Sequence, residues 1–186
     1  MDLIYFSILG FLLIPFVILV FRFCFYVVRV EECSMMPLLE SGDQVLVLRN
    51  RLWSFVRRGD VILLKLWPET ASDSGEFLIK RVVGLPGDTL FMYNLELSNL
   101  KGVVDNASYA YFSSIVSPNT NVTYVINGDD KLKREFLSMA EKVEVVKVPP
   151  NHFFVKGDWL LGGDDSITRG PVPSNMLVGS VVTKLS

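Results

Sequence analysis

The chain has 186 residues, half of them hydrophobic, with a mean hydropathy of +0.37 and a formal net charge of −2. That length suits one domain plus an anchor, and an acidic balance with a pI near 5.4 offers no basic surface to a nucleic acid. Two cysteines, Cys24 and Cys33, and a single histidine, His152, make neither a disulfide framework nor a metal-ligand spacing.

Leu3 to Phe21 carries no charge. As a helix rising about 1.5 Å per residue it would be roughly 28 Å long, enough for a bilayer core. Pro15 can kink it, which membrane helices tolerate. Arg22 closes the run, and Phe23, Phe25 and Tyr26 read as an interfacial aromatic belt. No basic stretch precedes the run and no small-x-small site follows it. The expectation is therefore an uncleaved single-pass anchor over residues 1–28, with the lipid bilayer as partner, rather than a signal peptide that is removed. Met1-Asp2 offers no positive charge while Arg22 and Arg29 follow the run. On that count the positive-inside rule places the C-terminal domain on the inner side.

Just beyond lies Cys33-Ser34-Met35-Met36-Pro37. Pro37 fixes φ and stops a regular element, so a hydroxyl is held on a stiff, apolar, membrane-proximal turn. The two methionines suit a lipid surface or an apolar groove. The plain alternative is a linker between anchor and domain.

From residue 44 the pattern is β-like. Ser41-Gly42-Asp43 signals a turn before the short apolar run Gln44 to Leu48, and Arg58-Gly59-Asp60 a second turn before Val61 to Leu66, an apolar run expected to be buried on both faces. Phe77 to Val83 is a further strand, entering the turn Gly84-Leu85-Pro86-Gly87-Asp88. Asn94 to about Pro118 has weak periodicity and reads as an irregular insert. Tyr124 to Ile126 suggests a strand entering a tight turn at Asn127-Gly128, and Leu132 to Glu141 is a helical stretch. Val143 to Val148, Phe153 to Val155 and Leu177 to Val182 complete the strands. The sum is one mostly-β domain of short strands over residues 29–186, hung from one N-terminal helix.

A serine needs a base before it is a useful nucleophile. Nothing in the sequence places His152 near Ser34, and it reads as a strand-edge residue. A lysine serves where burial leaves it neutral, and Lys80 is the candidate. Side chains alternate along its strand, so Lys80 and Arg81 point to opposite faces. A buried lysine can shed its proton where an arginine cannot. An edge strand with both charges solvated is the alternative. Cys33 as the nucleophile has no evident partner base.

These residues carry a resemblance. Ser34-Met35-Met36-Pro37-Leu38-Leu39 with Ser41-Gly42-Asp43 resembles the nucleophile box of the type I signal peptidase family, and Arg58-Gly59-Asp60-Val61 its next box. Ile79-Lys80-Arg81-Val82-Val83-Gly84-Leu85-Pro86-Gly87-Asp88 is similar to its lysine box. Val148-Pro149 through Gly157-Asp158, Asp165-Ser166 and Gly170-Pro171-Val172-Pro173 is similar to its last box. The resemblance implies a signal-peptidase-like β domain with an insert over about 90–147 and an apolar face against the bilayer. It implies a serine endopeptidase that removes targeting or sorting peptides after small residues, from presequence-bearing proteins. Ser34 would be the nucleophile, Lys80 the general base and the Ser34 backbone N–H an oxyanion donor, with no cofactor.

Three positions depart from the family pattern. Glu32 stands two before the serine, where many bacterial members have a hydroxyl; Gly163 stands two before Asp165, where a serine is common; Ile167 replaces the usual arginine. Asp165 is left to pair with Arg169 or to stand without an ionic partner. These departures motivate an alternative, a catalytically silent partner subunit. Arg29-Val30-Glu31, the single anchor, and Val45 through Trp53 are most similar to the second catalytic subunit of the mitochondrial inner membrane peptidase, which faces the intermembrane space beside a sister subunit. The length of the Leu90–Lys147 stretch is closer to bacterial leader peptidases, which would place the domain outside a bacterial plasma membrane.

Overall fold

The computed structural model describes residues 2–49, 55–65, 77–96, 121–127, 142–159 and 163–186. The helical stretch at 132–141, residue 128 of the expected tight turn and residues 97–120 of the insert lie outside the described residues.

Helix α1 runs from Asp2 to Cys24 and is followed directly by strand β1, Phe25–Arg29. The rings of Phe21 and Phe25 stack at that junction, 4.8 Å between centroids. The anchor expected over 1–28 thus ends as a helix at Cys24, and Phe25 and Tyr26 belong to a strand that pairs with the next one. Arg49 lies 4.5 Å over the Tyr26 ring, a cation–π contact that ties β1 inward. Burial pushes the Tyr26 phenol up to about 12, with Arg49 opposing the rise. Among the described residues no helix is long and apolar enough to cross a membrane; the side chains of α1 are described only at Phe11 and from Leu13 to Cys24.

The remaining strands are β2 (Gln44–Arg49), β3 (Val61–Lys65), β4 (Phe77–Gly84), β5 (Thr89–Glu96), β6 (Asn121–Asn127), β7 (Lys142–Lys147), β8 (His152–Lys156), β9 (Val172–Pro173) and β10 (Leu177–Lys184). A four-residue helix α2, Ser166–Arg169, precedes β9. A seven-stranded sheet has the order β1-β2-β10-β3-β4-β8-β9, and a three-stranded sheet the order β6-β5-β7. All pairings among the described strands are antiparallel. The fold is mostly β, as expected. Asn94 to Glu96, read from sequence as the start of the irregular insert, instead finish β5.

The central strands β3 and β4 face apolar clusters on both sides, which is why their sequences read as near-continuous hydrophobic runs. Leu63 and Ile79 pack with Val30, Met35, Leu39, Val45 and Val47. Ile62, Leu64 and Val82 pack with Phe153, Val155 and Val172. The two sheets meet at Gly84, where a Cβ would come within 2.7 Å of Leu90 Cδ1 and 3.0 Å of Phe154 Cβ. Only a residue without a side chain lets those two pack on each other. Turns tie neighbouring segments laterally: Arg58 donates twice to Asp88, at 2.9 and 2.6 Å, and Arg81 donates to the Gly59 carbonyl at 2.7 Å.

Candidate active site

Ser34 sits on the segment between β1 and β2. Three side chains pin that segment to the core: Val30, Met35 and Leu39 are all nearly fully buried. Met35 is therefore a core residue rather than a lipid-facing one. The Leu39 amide donates to the Met35 carbonyl at 3.0 Å and the Met36 amide to Cys33 at 3.1 Å, closing a compact turn around the serine. Val30 and Asp43 close the base of the loop, with Val30 N–H donating to the Asp43 carbonyl at 2.8 Å. The Asp43 carboxylate takes the Glu40 amide at 2.8 Å and pairs with Lys184 at 2.6 Å, and these contacts hold its carboxyl below the usual range. The nucleophile loop is thus fastened to the last strand of the chain.

A second segment presses on Ser34 from above. The Trp159 amide donates to the Ser34 carbonyl at 3.0 Å, and a Cβ at Gly157 would stand 2.6 Å from that same oxygen. Glycine is required there because two backbones approach too closely for a side chain. Asp165 fixes the segment in turn: its carboxylate accepts from the Gly157 amide at 3.1 Å and, as the cap of α2, from the Ile167 amide at 2.9 Å. Ser166 Oγ accepts from the Val155 amide at 3.0 Å. Arg169 pairs with Asp164, so Asp165 works by binding backbone amides and not by pairing with Arg169.

Lys80 comes from the middle of β4, opposite Ile62 of β3, and is 0% exposed. The alternative of a solvated edge strand is excluded, since β4 lies between β3 and β8. Lys80 Nζ stands 2.6 Å from Ser34 Oγ, across 46 residues of sequence. The neighbouring Arg81 points the other way and makes a fork-to-fork pair with Asp158, at 2.8 and 2.6 Å, which raises the guanidinium's proton affinity further. So the strand alternation separates one buried amine from one paired guanidinium.

The structure also brings in Glu32, whose direction was not legible from sequence. Its carboxylate reaches Lys80 Nζ at 3.5 Å, with the glutamate side chain 40% exposed. His152, at the start of β8, places Nδ1 2.8 Å from the Pro150 carbonyl and not in this cluster. Cys33 is a free, exposed thiol. Among the described residues no group of carboxylate, histidine and cysteine side chains could hold a metal ion.

A buried lysine amine in hydrogen-bond contact with a loop-held serine hydroxyl is the equipment of a serine hydrolase that uses lysine in place of histidine. The family model "Signal peptidase, peptidase S26" matches residues 3–185. Signal peptidase I of Bacillus caldolyticus is 34% identical over 166 residues, covering 87% of this chain and 78% of that protein. Signal peptidase I V of Bacillus subtilis (strain 168) is 29% identical over 154 residues, covering 82% and 81%. A crystal structure of a signal peptidase I from Enterococcus faecalis V583 matches with 25% identity over 69% of this chain and 97% of that one, at a TM-score of 0.42. The chain belongs to the peptidase S26 family of signal peptidases. It is a signal-peptidase-I-like serine endopeptidase.

Proposed function

We propose that the protein is a leader peptidase of the bacterial signal peptidase I type, removing N-terminal targeting peptides from presequence-bearing proteins at a membrane surface. The observation that carries the reading is the 2.6 Å contact between Ser34 Oγ and the fully buried Lys80 Nζ. The bacterial relatives support this setting over the mitochondrial inner membrane subunit and its sister partner, which Arg29-Val30-Glu31 and the stretch from Val45 through Trp53 resemble.

In this mechanism the scissile carbonyl lies over Ser34. Lys80, in its neutral form, takes the Oγ proton as the Oγ–C bond forms, and returns it to the departing amine as the C–N bond breaks. Water then attacks the acyl-enzyme, giving a proton to Lys80, which passes it to Ser34 Oγ as the C–Oγ bond breaks and the acid product leaves. The Ser34 N–H would receive the developing oxyanion, and the contacts of Gly157 and Trp159 with the Ser34 carbonyl support a fixed backbone there. Residue 163 borders the dyad, since a Cβ there would stand 4.0 Å from the Ser34 Cβ.

Helix α1 would anchor the domain. Its 23 residues rise about 35 Å, more than the roughly 30 Å of a bilayer core, and the described apolar side chains from Leu13 to Phe21 are all exposed on the isolated chain. An exposed apolar helix surface of this kind calls for cover, and a bilayer is the cover proposed here.

The test is cleavage of a presequence peptide by the full chain in detergent. Ser34→Ala and Lys80→Met should each abolish turnover while leaving thermal unfolding unchanged. Persistent cleavage by either folded variant removes the dyad assignment, and an inactive wild type favours the silent-partner alternative.

A further inference from the structure

The polar surroundings of Lys80 leave one feature of this site without a role in the scheme above. A neutral amine carries two N–H bonds and one lone pair. To act as a base, Lys80 must aim the lone pair at Ser34 Oγ, which requires that something else hold its N–H groups. Strand β3 opposite offers Ile62, an apolar residue. Gly163, whose Cβ would stand beside the serine, contributes no polar side chain. Glu32 is the second polar side chain in contact with Nζ, at 3.5 Å, and it reaches Lys80 from the same loop that carries the nucleophile.

The other charged groups around β4 are occupied elsewhere. Arg81 and Asp158 pair with each other. Lys156, across from Arg81 on β8, donates to the Gly157 carbonyl at 3.0 Å. Asp165 takes the Gly157 and Ile167 amides, and Asp164 pairs with Arg169. Asp60 accepts the Arg57 amide, and Lys65, at the far end of β3, sits over the Phe77 ring. Glu32 is thus the carboxylate within ion-pair distance of Nζ among the described residues.

We propose that Glu32 is a positioning residue for this dyad: its carboxylate accepts an N–H of Lys80, turns the lone pair toward Ser34, and stabilises the ammonium that forms when the serine proton is taken. The inference rests on the Ser34–Lys80 reading of the site. An opposing effect is available in principle, since a carboxylate near the serine would also repel the oxyanion. The geometry favours the first role, because the carboxylate oxygen is directed at Nζ. At 3.5 Å in a partly desolvated setting, attraction to an ammonium exceeds that at any larger separation.

The experiment measures the pH dependence of kcat and kcat/KM with the same presequence peptide, for wild type and for Glu32→Gln, Glu32→Ala and Glu32→Asp, with Ser34→Ala and Lys80→Met alongside. Glu32→Gln keeps an acceptor but loses the charge. It should move the acid limb of the profile to lower pH, because loss of the negative charge disfavours the protonated amine, and lower the plateau kcat on the order of tenfold. Glu32→Ala, which loses both acceptor and charge, should fall further, and Glu32→Asp should recover part of the loss. KM should change little. Wild-type profiles in folded Gln and Ala variants, or a raised kcat in either, would overturn the inference. With Ser34→Ala and Lys80→Met inactive, that result would leave the dyad itself standing; activity in those two variants would remove the dyad and this inference together.

Discussion

The two sheets of this molecule do different work. The seven-stranded sheet assembles its site from segments far apart in the chain: the loop after β1, the middle of β4 and the end of β8. The three-stranded sheet, β6-β5-β7, supplies side chains such as Leu90 and Met92 to a core shared with Val148 and Phe154, and none of the polar atoms that touch Ser34 or Lys80. The difference teaches that catalytic geometry here depends on close backbone approach and buried polar contacts. The smaller sheet contributes apolar burial, which is non-directional and tolerates small shifts.

That division can be broken at its apolar side first. Leu90 is fully buried and meets Gly84 and the Phe154 cluster. Leu90→Ala should cost about 2–5 kcal/mol of stability, read by urea denaturation. At a temperature where the variant remains folded, kcat should stay within about twofold of wild type, since no atom of the site is touched. A comparable fall in kcat would mean that the smaller sheet shapes the site after all.

Gly157→Ala probes the other side. A Cβ 2.6 Å from the Ser34 carbonyl oxygen forces one of the two backbones to move. A displacement approaching 1 Å at the nucleophile can cost about 100-fold in rate. The expected outcome is therefore a loss of kcat of that order, larger in proportion than the loss of stability. Equal activity in the variant would show that the 157–159 segment does not fix the serine.

How much of this was visible in the sequence follows from the same division. Strands β2, β3, β4, β8 and β10 are apolar runs bounded by turn signals, and each lies where the pattern puts it. Strand β1 was hidden because Phe25–Arg29 follows the charge-free run closely, with no turn residue between them, and its aromatic residues read as an interfacial belt. The pairing of Ser34 with Lys80 was suggested by the alternation of Lys80 and Arg81 and by the resemblance of the surrounding boxes. The contact itself became visible only once β3, β4 and the nucleophile loop were packed. Glu32 and Gly157 show the limit. Sequence names a carboxylate two residues before a serine, but not the direction in which it points. It names a glycine before Asp158, but not that this glycine lies against a carbonyl more than a hundred residues earlier.

The smallest effect concerns a second, partly buried amine, Lys156, and it sharpens the contrast between lysines within the larger sheet. Lys80 has a hydroxyl and a carboxylate within reach, whereas the Lys156 Nζ has the Gly157 carbonyl at 3.0 Å. Desolvation lowers the proton affinity of Lys156, and the nearby charges of Asp165 and Asp158 only partly oppose it. Between that lowered value and the ordinary lysine value of about 10.4, the unfolded chain binds more protons than the native one. Stability of the wild type must then rise with pH through that window. Lys156→Met removes the titration, so the wild type should gain on the variant as pH is raised from neutral toward the ordinary lysine range. Urea denaturation of both proteins at several pH values checks the sign. A difference that stays flat, or moves the other way, would mean that the two aspartates outweigh burial, and that the amine on β8 is held as a charged partner of the site's supporting carboxylates.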